Sequence, residues 1–209
     1  MGMCDILEIK DMKNKTFLFI DGSNLYGGQY ELFGPKRYIH FSKLIEKLED
    51  NINVSFDEIY FYTSYSPKSK KPTAREKLFL KNEAFFYRSV RDTKHVIFFK
   101  GYRSKTSRKE KEVDVKLTAD LVSLGFLNKF HVAYLFTGDA DFLQALFTLQ
   151  KTPKKKDLYI LSLQNKIMHK GAFYFPTLIV AFEKIHVSFH AAQKIKVVTI
   201  SATDVLRDV

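Results

Sequence analysis

The chain has 209 residues, 45% of them hydrophobic and 15% aromatic, which is enough apolar material for one packed domain of ordinary size. Basic residues number 34 against 23 acidic ones, so the formal charge is +11 and the pI about 9.5, a balance that favours polyanionic partners, nucleic acid above all. A single cysteine, Cys4, excludes an intrachain disulfide framework and a multi-cysteine zinc site. The longest apolar run, AFYFPTLIVAF (172–182), is too short to span a bilayer and contains a proline, and acids interrupt the first residues early. The expectation is a cytoplasmic, soluble protein with no membrane partner.

From residue 16 onward, strand-like and helix-like segments alternate. TFLFID (16–21) reads as a buried strand, FSKLIEKLED (41–50) as a helix with Leu44, Ile45 and Leu48 on one face, and EIYFYTSY (58–65) as a second strand. A long helix is expected over 73–92, started by a Thr cap after Pro72, then a third strand over 95–102. Next come a helix over 111–127 with Val113, Leu117, Leu121 and Leu124 as its apolar stripe, a fourth strand over 131–139, a helix over 141–151 and a fifth strand over 157–163. Such alternation implies a Rossmann-like α/β sandwich, three layers deep, whose central sheet is mainly parallel and covered on both faces. Residues 164–193 fit a helix, a strand pair or one followed by the other; 194–201 looks like a last strand and 202–209 like a terminal turn or helix. With no repeat or low-complexity linker in view, the domain reading is an extension over 1–13, a core over 14–165 and a segment over 166–209 that completes or extends it.

In a parallel sheet, ligands bind beyond the carboxyl ends of the strands. Asp21 ends the first strand; Asp139 ends the fourth, with Asp141 two residues on; Asp114 falls in the first turn of the helix after the third strand. All four therefore belong to one edge. Like charges gathered so closely call for a cation, and Mg²⁺ or Mn²⁺ takes carboxylate oxygens while keeping several waters. Each acid also has a plainer reading, as a turn former or a helix cap. Asp120 lies about 120° round its helix from Asp114, which limits it to a supporting place behind the metal ligands. Asn24 either orients a metal-bound water or phosphate, or closes an Asx-turn on its own backbone.

Cations crowd the same edge. Lys68, Lys70, Lys71 and Arg75 follow the second strand, and Arg103, Lys105, Arg108, Lys109 and Lys111 follow the third, a rim suited to a phosphodiester backbone. Tyr26, Tyr65 and Tyr102 are candidates for stacking on unpaired bases, or else half-buried loop aromatics. KTPKKK (151–156) falls at the opposite end of the sheet and reads as a solvated cap. The six histidines do not accompany the acids and are read as structural or exposed. The aromatic stretch 172–190 is a candidate homodimer surface, and specificity is expected in the loops 27–40, 66–75 and 101–111.

FLFIDGSNLY, KEVDVKLTADLV and YLFTGDADF together resemble the three signature blocks of the NYN domain family, within the PIN-like nuclease superfamily. The resemblance covers about residues 16–163. It implies a metal-dependent endoribonuclease that leaves 5′-phosphate and 3′-hydroxyl ends. Asp21 and Asn24 come from the first block, Asp114 and the second acid Asp120 from the middle one, and Asp139 and Asp141 from the third. Residues 164–193 lack the Ser-Leu…Asp pattern expected before the last helix. A catalytically silent RNA-binding module on the same fold is the alternative. A haloacid dehalogenase type phosphatase would place Asp-x-Asp on its first strand, and a topoisomerase-primase type domain would have Glu where this chain has Asp21.

Overall fold

The computed structural model describes residues 15–103, 110–182 and 194–209. Strand β1 (Thr16–Asp21) is buried along its whole length, with Leu18 and Ile20 in one core cluster and Phe17 and Phe19 in another. Successive residues on a strand point to opposite faces, so a strand buried this way must carry helices on both sides. It is followed by α1 (Gly22–Phe33), β2 (Arg37–Ile39), α2 (Phe41–Ile52), β3 (Glu58–Thr63), α3 (Ala74–Arg91) and β4 (Val96–Lys100). A small hairpin, β5 (Tyr102–Arg103) with β6 (Glu110–Lys111), leads to α4 (Val113–Phe126), β7 (Val132–Phe136), α5 (Leu143–Gln150) and β8 (Asp157–Leu163). The chain continues through α6 (His169–Ala172), β9 (Thr177–Ala181), β10 (Ile195–Thr199), α7 (Ala202–Val205) and β11 (Leu206–Asp208).

Seven strands form one sheet in the order β10-β9-β8-β7-β1-β3-β4, and every neighbouring pair is parallel. Helices α1, α2 and α3 cover one face through Leu25, Tyr26, Phe41, Leu44, Leu48, Phe86 and Val90; α4 and α5 cover the other through Val113, Leu117, Leu121, Leu146 and Leu149. The three-layer α/β sandwich expected from the sequence is the fold. Phe86, fully buried, packs its ring against those of Tyr26, Phe41 and Phe61. Truncating such a side chain costs about 3–5 kcal/mol. Thr73 caps α3 as expected, its hydroxyl accepting from the Glu76 N–H.

Several expectations need correction. Residues 27–33, expected within the loop 27–40, belong to a twelve-residue helix that starts at Gly22. Its three glycines lower helix propensity and disguise it, but Gly22 is there for closeness: a Cβ would stand 2.2 Å from Phe61 Cε1 and 2.8 Å from the Tyr62 carbonyl oxygen. At the chain's end, β11 follows the expected turn and pairs antiparallel with β2, matching Leu206 to Ile39 and Asp208 to Arg37. The β9 part of the candidate dimer stretch is buried between β8 and β10, so it offers no surface; 183–190 lie outside the described residues. No helix among the described residues is long and apolar enough to cross a membrane.

Candidate functional site

The chain runs from β1 outward to β3 and β4, then returns to lay β7 on the other side of β1. This reversal is the switch point at which an open α/β sheet leaves a crevice beyond its carboxyl ends. The first and third sequence blocks meet there, on adjacent strands.

Asp21 is the last residue of β1 and only 6% exposed. One carboxylate oxygen, Oδ1, accepts the Asn24 N–H at 3.0 Å and so caps α1; the other, Oδ2, accepts the Thr137 hydroxyl at 3.0 Å. A carboxylate at a helix N-terminus also meets the positive end of the helix dipole. Asn24 reaches across to the third block, where its Oδ1 accepts the Gly138 N–H at 3.0 Å. The Thr137 hydroxyl in turn accepts the Asp139 N–H at 3.1 Å, and the Thr137 carbonyl accepts the Ser162 hydroxyl at 2.8 Å. Asp139 Oδ1 accepts the Asp141 N–H at 2.9 Å and caps the short turn Ala140–Phe142 that leads into α5. These bonds weld the two blocks into one polar seam, and Asn24 serves it as a strut between them.

Asp139 and Asp141 are exposed, as is Asp114 in the first turn of α4. Asp114 and Asp141 line the same cavity, of about 360 Å³, together with Thr118 and Phe142. The residue that launches α4, Glu112, has φ 73°, a left-handed backbone uncommon outside glycine. Asp120 has partners of its own: its Oδ2 accepts the Tyr62 hydroxyl at 2.8 Å and its Oδ1 pairs with Lys116 Nζ at 2.6 Å. Burial, reinforced by this bond to Asp120, pushes the Tyr62 hydroxyl pKa far up. Among the described residues, no three His, Cys, Asp or Glu side chains stand close enough together to hold a metal ion. The structure therefore brings Asp114 and Asp141 to one cavity and holds Asp21, buried, in the seam that also fixes Asp139.

Of the cationic rim, Lys68, Lys70, Lys71 and Arg75 are exposed on the loop after β3 and the start of α3. That loop is fastened from below: Glu83, buried, accepts from the Ser66 N–H and hydroxyl, and Glu76 does the same for Ser69. Lys105, Arg108 and Lys109 lie outside the described residues, as do the side chains of Arg103 and Lys111. Tyr26 is no stacking surface, because its ring is buried and its hydroxyl donates to the Phe79 carbonyl at 2.8 Å. Tyr65 is half-buried against Tyr87 with Lys100 Nζ 4.8 Å from its ring, whereas Tyr102 is 57% exposed.

Thr137, Ser162 and Gly138 were not singled out in the sequence. A signal was available, since a hydroxyl interrupts an apolar run in YLFT and in ILSL, each near the carboxyl end of its strand. Gly138 has a steric reason: a Cβ would stand 2.1 Å from the Lys166 carbonyl oxygen.

Fold and site define an α/β sandwich with an acidic crevice at its switch point. The NYN domain family model matches residues 15–172, and the chain belongs to that family, whose fold is the PIN-like nuclease fold. A comparison with curated proteins finds no match. Among solved structures, the chain is similar to a protein of unknown function from Vibrio parahaemolyticus, with a TM-score of 0.58 and 16% identity over 83% of this chain and 96% of that one. At that identity the likeness concerns the fold alone.

Proposed function

We propose that this protein is a metal-dependent endoribonuclease that hydrolyses RNA phosphodiester bonds at the carboxyl edge of its sheet. The reading is carried by the meeting of Asp114, from the first turn of α4, and Asp141, from the turn that leads into α5, on one cavity of a PIN-like fold. Asp114, Asp139 and Asp141 present hard oxygen donors at the surface, the kind Mg²⁺ or Mn²⁺ takes while keeping waters of its own. Such an ion, when bound, lowers the pKa of a water and offsets charge at phosphorus. Asp21 contributes a buried negative charge in the seam beneath Asp139, bonded to Thr137, and Asn24 and Thr137 are positioning residues that hold the two blocks in register. Lys68, Lys70, Lys71 and Arg75 supply cations at the same edge for the RNA backbone.

A second reading, an RNA-binding module that does not cut, is favoured by one observation: no three ligating side chains are gathered among the described residues. One experiment separates the two. Single-stranded and structured RNA are incubated with pure protein and Mn²⁺ or Mg²⁺, beside EDTA and an Asp139→Asn variant. Cleavage that needs metal and falls by at least about 10–100-fold in the variant is expected. Cleavage that survives in the variant would trace to a contaminant and overturn the assignment; binding without cleavage under every metal supports the module.

A further inference from the structure

The opposite edge of the sheet carries a second feature, where β8, β9 and β10 begin. A cavity of about 250 Å³ lies there, lined among others by Lys155, Lys156, Asp157, Tyr174, Pro176 and Lys194. Lys155 and Lys194 are exposed, but Lys156, expected to be solvated with the rest of KTPKKK, is buried. Its ammonium donates to Asn128 Oδ1 and lies 5.7 Å from the centre of the Phe130 ring; among the described residues no carboxylate pairs with it. A buried cation without a counter-charge is costly, and an anion brought nearby relieves that cost. Burial first and the neighbouring charge of Lys154 second hold the Lys156 pKa below the ordinary lysine value, as such a cation should show. The one acid lining the cavity, Asp157, faces His131, whose Nε2 is 3.7 Å from Oδ2. Tyr174, 57% exposed, is braced edge-on by Phe147 with ring centres 5.1 Å apart.

Three lysines around a cavity beside an exposed, braced aromatic ring match the chemistry that holds unpaired nucleotides, with cations on the phosphates and a flat face for a base. We propose that this cavity is a second nucleic-acid site, which takes a backbone phosphate of single-stranded RNA on Lys155 and Lys194 and a base on Tyr174. It lies at the far ends of the strands from the acidic crevice, about 20 Å away along β8, and does not depend on whether that crevice cuts. An RNA bound at both edges would be gripped at a distance from the scission point.

The test measures binding of a labelled single-stranded RNA by fluorescence anisotropy in EDTA, across a salt series, with the intact chain. Lys155→Ala/Lys194→Ala is expected to weaken binding about tenfold and to shallow the log–log salt slope by about 1.4, which is 0.7 for each lysine removed. Tyr174→Ala is expected to weaken binding with the slope unchanged. All positions changed are exposed, and an unaltered melting temperature confirms folding. Unchanged affinity and slope in both folded variants would overturn the proposal. AMP serves as the competing probe. Failure of AMP to displace the RNA supports a polymer site, whereas AMP binding that is lost in the double variant while RNA binding is kept overturns RNA as the ligand in favour of a free nucleotide.

Discussion

Replacing Thr137 by Val tests whether the seam between β1 and β7 is what holds Asp21 in place. The hydroxyl is fully buried; it donates to Asp21 Oδ2 at 3.0 Å and accepts the Asp139 N–H at 3.1 Å. Valine keeps the shape and removes both bonds. A hydrogen bond to a charged group contributes about 1.5–3 kcal/mol and a neutral one about 0.5–1.5 kcal/mol. The Asp139 amide keeps some access to water, so the second loss falls at the low end, and the substitution should cost about 2–3.5 kcal/mol. With a urea m-value of about 2 kcal/mol/M, the unfolding midpoint should drop by about 1–2 M. Thr137→Ser keeps the hydroxyl and should lose much less. The decisive control is the same substitution in an Asp21→Asn background, where the charge is gone and the cost should shrink by about 1 kcal/mol or more. A Thr137→Val cost below about 0.5 kcal/mol, or an equal cost in both backgrounds, would refute the reasoning.

Gly138→Ala forces a Cβ to within 2.1 Å of the Lys166 carbonyl oxygen, so backbone must move and the Asn24 strut with it; a loss of about 1–3 kcal/mol is expected in denaturant titration. His40 is held below its ordinary pKa by burial first, then by Arg207 and Lys43, with Asp92 opposing. Its folded pKa is therefore the lower one, the unfolded chain binds the extra proton, and stability should fall as pH drops below about 6.5; His40→Gln should flatten that slope in melts between pH 7.5 and 5. Burial raises the tyrosine hydroxyls in the opposite sense, Tyr134 up to about 12 and Tyr26 and Tyr62 further. Stability should be whole below pH 10 and decline above it. Absorbance at 295 nm should show late ionisation that coincides with loss of far-ultraviolet circular dichroism, and full ionisation near pH 10 with the fold intact would contradict the burial of these rings.

Much of the fold was legible because a doubly covered parallel sheet writes itself in local pattern. Stretches such as FLFI (17–20) and LYIL (158–161) are apolar at every step since both faces are covered, and the α4 stripe repeats at helical spacing, with Val113, Leu117 and Leu121 buried and Leu124 partly so. The acids were legible for the same reason: the strand ends fix which edge they occupy. Less local features were not. Helix α1 was hidden by its glycines, of which Gly22 answers to close contact with Phe61 and Tyr62 on β3 and Gly28 to close contact with Leu163 at the end of β8. Tyr26 looked like a loop aromatic until that helix turned it inward against Phe79 and Phe86.

What the sequence determined by itself was the alternation, the charge balance and the common edge of Asp21, Asp114, Asp139 and Asp141, since these follow from residue order and strand direction alone. Only the tertiary structure decided who touches whom. It gave Asn24 to the Gly138 amide and Thr137 to Asp21, turned Asp120 toward Tyr62 and Lys116, and buried Lys156 beside a cavity at the far edge. Such pairings join strands adjacent in the sheet but remote along the chain, and a side chain's partner is set by packing at distances that no local spacing encodes.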